Sequence, residues 1–145
     1  MKTDIPEAVK SYVNLIVEKF KVRCIILWGS RARGDHTPHS DYDIIIIADF
    51  KENFLQRLKT LIDLTPPQPN IEVFGYTPQE FETMFQRGNV TALDAIYEGI
   101  PLYGEEYFKK YGKKLRELFD KGLERTTCTW KLPTSTSKLQ PLTNP

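Results

Sequence analysis

Two aspartates, Asp41 and Asp43, flank Tyr42 at the head of an isoleucine run, Ile44 to Ile47. Residues two apart in a strand point to one face, so both carboxylates would converge there. Two anions held that close repel each other unless a cation sits between them. Mg²⁺, which takes carboxylates together with phosphate oxygens, is the natural occupant. Taken alone, an Asp-x-Asp is also what a solvated turn looks like.

Upstream, Gly29-Ser30 directly follows the apolar run Val22 to Trp28. Glycine lets the backbone come close to a phosphate, and a helix starting there offers free amides and a positive dipole end. Ser30 adds a hydroxyl, and Arg31 and Arg33 add positive charge. An isolated Gly-Ser after a strand is most often a plain turn. A phosphate-gripping turn and a carboxylate pair at the ends of adjoining strands are together much more specific. They are what nucleotidyl transfer requires, with metal on the triphosphate and the turn on the leaving pyrophosphate.

The elements that must hold these residues can be read from the chain. Val9, Tyr12, Val13, Ile16, Val17 and Phe20 recur at helical spacing between Pro6 and Phe20. Val22 to Trp28 is a short β-branched run that reads as a buried strand, and the four isoleucines read as a central strand covered on both faces. A helix over Asn53 to Leu64, with Phe54, Leu55, Leu58, Leu61 and Ile62 as its apolar stripe, is stopped by Pro66, Pro67 and Pro69. Ile71 to Tyr76 forms a third strand. Thr77-Pro78-Gln79-Glu80 is a capping box that starts the next helix. Asn89 caps a helix over Val90 to Glu98, Pro101-Leu102-Tyr103 supplies a short edge strand, and Glu105 to about Arg125 forms a last helix despite Gly112. This order predicts an α/β fold, a small mixed β-sheet flanked by helices, with an early hairpin. The segment 126–145, rich in Thr, Ser and Pro, reads as a flexible tail beyond a single domain over 1–125.

Composition narrows the function classes. A length of 145 residues leaves little room for a second substrate-binding lobe, so the acceptor must come from another chain. The 20 basic and 19 acidic residues give a net charge of +1, which argues against bulk electrostatic nucleic-acid binding. Cys24 and Cys128 form neither a disulfide framework nor a metal site. No signal-peptide pattern is present and no apolar stretch reaches the ~20 residues of a membrane span. The expected location is the cytoplasm.

Gly29-Ser30-Arg31-Ala32-Arg33-Gly34 followed by Ser40-Asp41-Tyr42-Asp43 resembles the signature of the polymerase beta-like nucleotidyltransferase superfamily. It is especially similar to the minimal nucleotidyltransferases, the MNT family, which often accompany HEPN-domain proteins in toxin–antitoxin pairs. The likeness runs from about Ile5 to Arg125 and includes the Thr77 helix start and the ending Glu98-Gly99-Ile100-Pro101-Leu102-Tyr103-Gly104. It implies the polymerase beta-like fold, ATP or another NTP as substrate, and a pair of Mg²⁺ ions held by Asp41 and Asp43. Gly29 and Ser30 would bind the phosphates, with Arg31 or Arg33 assisting. The superfamily's third carboxylate falls on Glu72, one methylene longer than the Asp commonly found there, and would orient or deprotonate the acceptor hydroxyl. A HEPN-type helical partner as acceptor, an antitoxin role and, as a further option, a homo-oligomer are implied in the same way. Two other readings stand beside this one. The first is a nucleotide- or partner-binding module without catalysis, and the second is a small-molecule transferase of the aminoglycoside type. His36 and His39 read as solvated turn, and Trp28 and the tyrosines as packing.

Overall fold

In the computed structural model, residues 4–125 and 130–132 are described. A four-stranded mixed sheet, ordered β3-β2-β1-β4, lies between two helical layers. β1 (Val22–Trp28) pairs antiparallel with β2 (Tyr42–Ala48) and with β4 (Ile100–Tyr103), while β3 (Ile71–Tyr76) runs parallel to β2. The parallel pair needs a crossover, and α3 (Phe54–Asp63) provides it.

Alternation along the two inner strands builds both halves of the core. Ile25, Leu27, Ile44 and Ile46 face α1 (Glu7–Lys19), whose Val9, Tyr12, Val13 and Ile16 are buried against them. Cys24, Ile26, Ile45 and Ile47 face the other way. They pack on α4 (Pro78–Gln86), α5 (Val90–Glu98) and α6 (Glu105–Asp120). The isoleucine run is buried on both faces because each successive side chain serves the opposite layer.

Local chemistry sets the element ends. Thr77 and Glu80 form the reciprocal capping box at α4, and Asn53 and Asn89 cap α3 and α5 through their side-chain oxygens. Pro6 stands at the cap of α1 rather than inside the helix. The stripe expected on α3 is only partly interior. Leu61 and Arg57 are buried, whereas Phe54, Leu55 and Ile62 are exposed, because α3 lies over the outer strand and turns one flank to solvent.

The last helix ends at Asp120, short of the expected Arg125, in a turn closed by Gly122 at φ +112. Glu124–Arg125 then pairs antiparallel with Trp130–Lys131. Trp130, assigned by sequence to the tail, is therefore part of the folded domain and only 3% exposed. The remainder of that segment, 126–129 and 133–145, lies outside the described residues. Among the described residues no helix is long and apolar enough to cross a membrane.

Candidate active site

The site is built where β1 ends, on the corner that leads into a single helical turn, α2 (Ser30–Arg33). Gly29 takes φ +79, a conformation that side chains with a Cβ rarely adopt. A Cβ placed there would stand 2.5 Å from Asp43 Oδ2, so the absence of a side chain is what lets the carboxylate lie against the turn. The amides of Ala32 and Arg33 fold back to the Gly29 carbonyl at 3.0 Å each, which fixes Ser30 at the start of the turn.

Strand register brings the second acid in. Trp28 stands opposite Asp43 across β1 and β2, and Asp43 stands beside Glu72 across β2 and β3. Asp43 is half-buried and its carboxyl is pushed up to about 7. Loss of hydration is the main cause, followed by a hydrogen bond with Glu72 and the charges of Glu72 and Asp41, while Arg33 pulls the other way. Glu72, on the outer strand, remains exposed.

Asp41 stands immediately before β2, two residues ahead of Asp43, at the head of the strand. Among the described residues no three His, Cys, Asp or Glu side chains form a metal-holding cluster, so the full convergence of Asp41, Asp43 and Glu72 is not present. Asp43 and Glu72 meet, and Asp41 contributes its field from the loop.

The two arginines of the turn have different surroundings. Arg31 donates from Nη2 to the Ser40 carbonyl at 3.0 Å and to the Pro38 carbonyl at 3.4 Å, and its guanidinium lies 4.4 Å over the Tyr42 ring. Those contacts organise the loop that carries Asp41. Arg33 reaches across to Glu98 Oε2 at 2.8 Å and to Asp35 Oδ2 at 3.0 Å, and its charge is felt at Asp43. His36 and His39 are exposed in the loop. The sequence reading missed Glu98 as part of this surround. Its place at the end of α5, just before Gly99, carries no chemical signal until the fold brings it to Arg33.

A glycine corner against paired carboxylates, with an arginine at its rim, has the chemistry to take a nucleoside triphosphate with a divalent ion. Comparison with known proteins identifies the family. The family described as "Polymerase beta, Nucleotidyltransferase" matches residues 10–103, well over half of the chain. Two proteins of Methanocaldococcus jannaschii align with it, "Putative protein adenylyltransferase MJ0604" at 41% identity over 56 residues and "Putative protein adenylyltransferase MJ1379" at 42% over 55. Each alignment covers 37% of this chain, and it takes in 56% of the first relative and 53% of the second. The chain thus spans about half the length of the curated relatives it matches. A crystal structure of "a putative nucleotidyltransferase from Sulfolobus solfataricus" superposes with TM-score 0.51 at 20% identity, over 69% of this chain and 80% of that one. A crystal structure of a mutant of the toxin–antitoxin MntA-HpeT gives 0.52 at 19%, over 81% and 88%. Both share the fold. The chain belongs to the polymerase beta nucleotidyltransferase family.

Proposed function

We propose that this chain is a Mg²⁺-dependent nucleotidyltransferase that moves AMP from ATP onto a hydroxyl of a partner protein. The partner we infer is a HEPN-type helical protein, neutralised as the toxin of a toxin–antitoxin pair. The observation that carries the reading is the Asp43–Glu72 pair lying directly behind the Gly29 corner. The two relatives, each named "Putative protein adenylyltransferase", support a protein as acceptor, and an MntA structure shares the fold.

The donor set fits magnesium. All the side-chain donors are hard carboxylate oxygens, which suit a hard divalent cation. Asp43 and Glu72 would hold the ion, with Asp41 joining from the loop. Magnesium, when bound, supplies neutralisation of triphosphate charge and lowers the proton affinity of the acceptor hydroxyl.

The residues of the chain do the rest. Gly29 lets the triphosphate approach the backbone, and the Ser30 hydroxyl and the Arg33 guanidinium bind its oxygens. Glu72 takes the acceptor proton as the acceptor oxygen attacks the α-phosphorus. The bond from that phosphorus to the bridging oxygen breaks, and pyrophosphate leaves toward Ser30.

Incubation with α-labelled ATP, Mg²⁺ and a candidate HEPN-type partner tests this. Label should appear on the partner and vanish with Asp43→Ala. A tight complex that never becomes labelled would instead make the chain a binding module.

A further inference from the structure

Arg33 poses an electrostatic problem. A flexible guanidinium within reach of two carboxylates would fold onto them, neutralise the acid pair and leave the phosphate without its cation. In the structure it does not lie there. Two carboxylates hold it elsewhere: Asp35 Oδ2, on the exposed loop, accepts from Nε at 3.0 Å, and Glu98 Oε2 accepts from Nη1 at 2.8 Å with a side chain only 8% exposed. A carboxylate so shielded from water must be paired, so its attraction for Arg33 is strong and directional.

Glu98 is itself held. Arg125 Nη2 lies 3.9 Å from Glu98 Oε1 and 3.4 Å from Asp94 Oδ1, one turn earlier on the same face of α5. Trp130 Nε1 donates to Asp94 Oδ1 at 2.8 Å. The Arg125 guanidinium lies 5.2 Å over the Trp130 ring, and Tyr97 meets that ring edge-on at 5.2 Å. A continuous path of ion pairs and ring contacts therefore runs from the hairpin of Glu124–Arg125 and Trp130–Lys131 through α5 to the turn after Gly29.

We propose that Glu98 is a positioning residue, which holds Arg33 at the mouth of the site and off the Asp43–Glu72 pair, and that Arg125 and Trp130 brace Glu98 from behind. This rests on the nucleotidyltransferase reading above and adds residues to the triphosphate grip. Its consequence is separable from chemistry. Losing Glu98 should weaken capture of the triphosphate while leaving the acids that carry out transfer in place.

The experiment is a double-mutant cycle on the full chain with Glu98→Gln and Arg33→Gln, measuring KM for Mg-ATP, kcat for labelling and Tm. Glu98→Gln should raise KM about tenfold with kcat changed less than about threefold, and in the Arg33→Gln background it should add nothing further to KM. Glu98→Asp, which keeps the charge, should recover part of the loss. Trp130→Phe, which removes the indole donor together with part of the ring beneath Arg125, should shift KM in the same direction by a smaller factor. Equal KM penalties for Glu98→Gln in both backgrounds, or a fall in Tm with KM unmoved, would overturn the proposal while the transferase stands. A wild-type chain that neither binds nor transfers nucleotide would overturn the function and this inference with it.

Discussion

Asp43 and Glu72 stand side by side in the parallel register of β2 and β3, close enough for Glu72 to raise the proton affinity of Asp43. The pairing works against the fold. Asp43 ordinarily titrates near 4, and here it is pushed up to about 7 by lost hydration and by the Glu72 and Asp41 charges. The folded chain then binds more protons than the unfolded one between about pH 4 and 7, so this group's contribution to stability falls as pH rises across that window. Replacing Asp43 by Asn removes the charge and keeps the shape. Asp43→Asn should stabilise the metal-free chain at pH 8 by about 1–2 kcal/mol, with no gain at pH 4. Urea unfolding at the two pH values reads this directly. The same variant should lose on the order of a thousandfold in transfer, which would mark the pair as strain retained for chemistry.

Gly29 has no freedom to change. Its φ of +79 disfavours any Cβ, and that Cβ would meet Asp43 Oδ2 at 2.5 Å. Gly29→Ala should cost about 2 kcal/mol in unfolding free energy and should push Asp43 away from the turn. If Gly29→Ala matched the wild type in both stability and Mg-ATP affinity, the close approach would have no role.

Glu80 gives the opposite pH signature. Burial works to raise its proton affinity, but the Arg57 hydrogen bond at 2.7 Å and the Thr77 amide outweigh burial and hold the carboxyl below its ordinary value. Its contribution is present above the unfolded value and is lost as pH falls through the folded one. Arg57 is buried and also donates to the Gly75 and Glu52 carbonyls, so it keeps partners when Glu80 is neutral. The Tm difference between wild type and Glu80→Gln should be clear at pH 7 and should close below about pH 4. A gap that is constant with pH would assign Glu80 a purely neutral capping role.

Much of this was legible because it is local. The isoleucine run, the Thr77 capping box and the glycine after β1 announce themselves within a few residues. What the sequence hid depends on distance. The Arg33–Glu98 ion pair joins residues 65 apart, and nothing in either neighbourhood marks the other. Trp130 looked like a lone aromatic in a polar segment, yet it is buried among Tyr97, Phe119 and Arg125. Asp41 stands just ahead of the strand that begins at Tyr42, where alternation alone does not fix which way a side chain points.

Trp130 accordingly should behave as a core residue. Trp130→Ala removes a 3%-exposed side chain and its bond to Asp94, and should cost about 3 kcal/mol, measured by thermal or urea unfolding.

Arg31 and Arg33 look equivalent in the sequence, and their contacts separate them. Arg31 uses its planar fork on the Ser40 and Pro38 carbonyls and stacks on Tyr42, while Arg33 is turned toward Glu98. A lysine cannot reproduce a fork that bridges two carbonyls and lies flat on a ring. Arg31→Lys should therefore behave nearly as badly as Arg31→Ala, because the loop that carries Asp41 loses its anchor in both. Arg33→Lys should keep much of its phosphate affinity, because a point charge can still reach an anion. KM for Mg-ATP, determined for all three variants, distinguishes the roles. If Arg31→Lys proved as active as wild type and Arg33→Lys did not, the assignment of Arg31 to the loop and Arg33 to the phosphate would have to be exchanged.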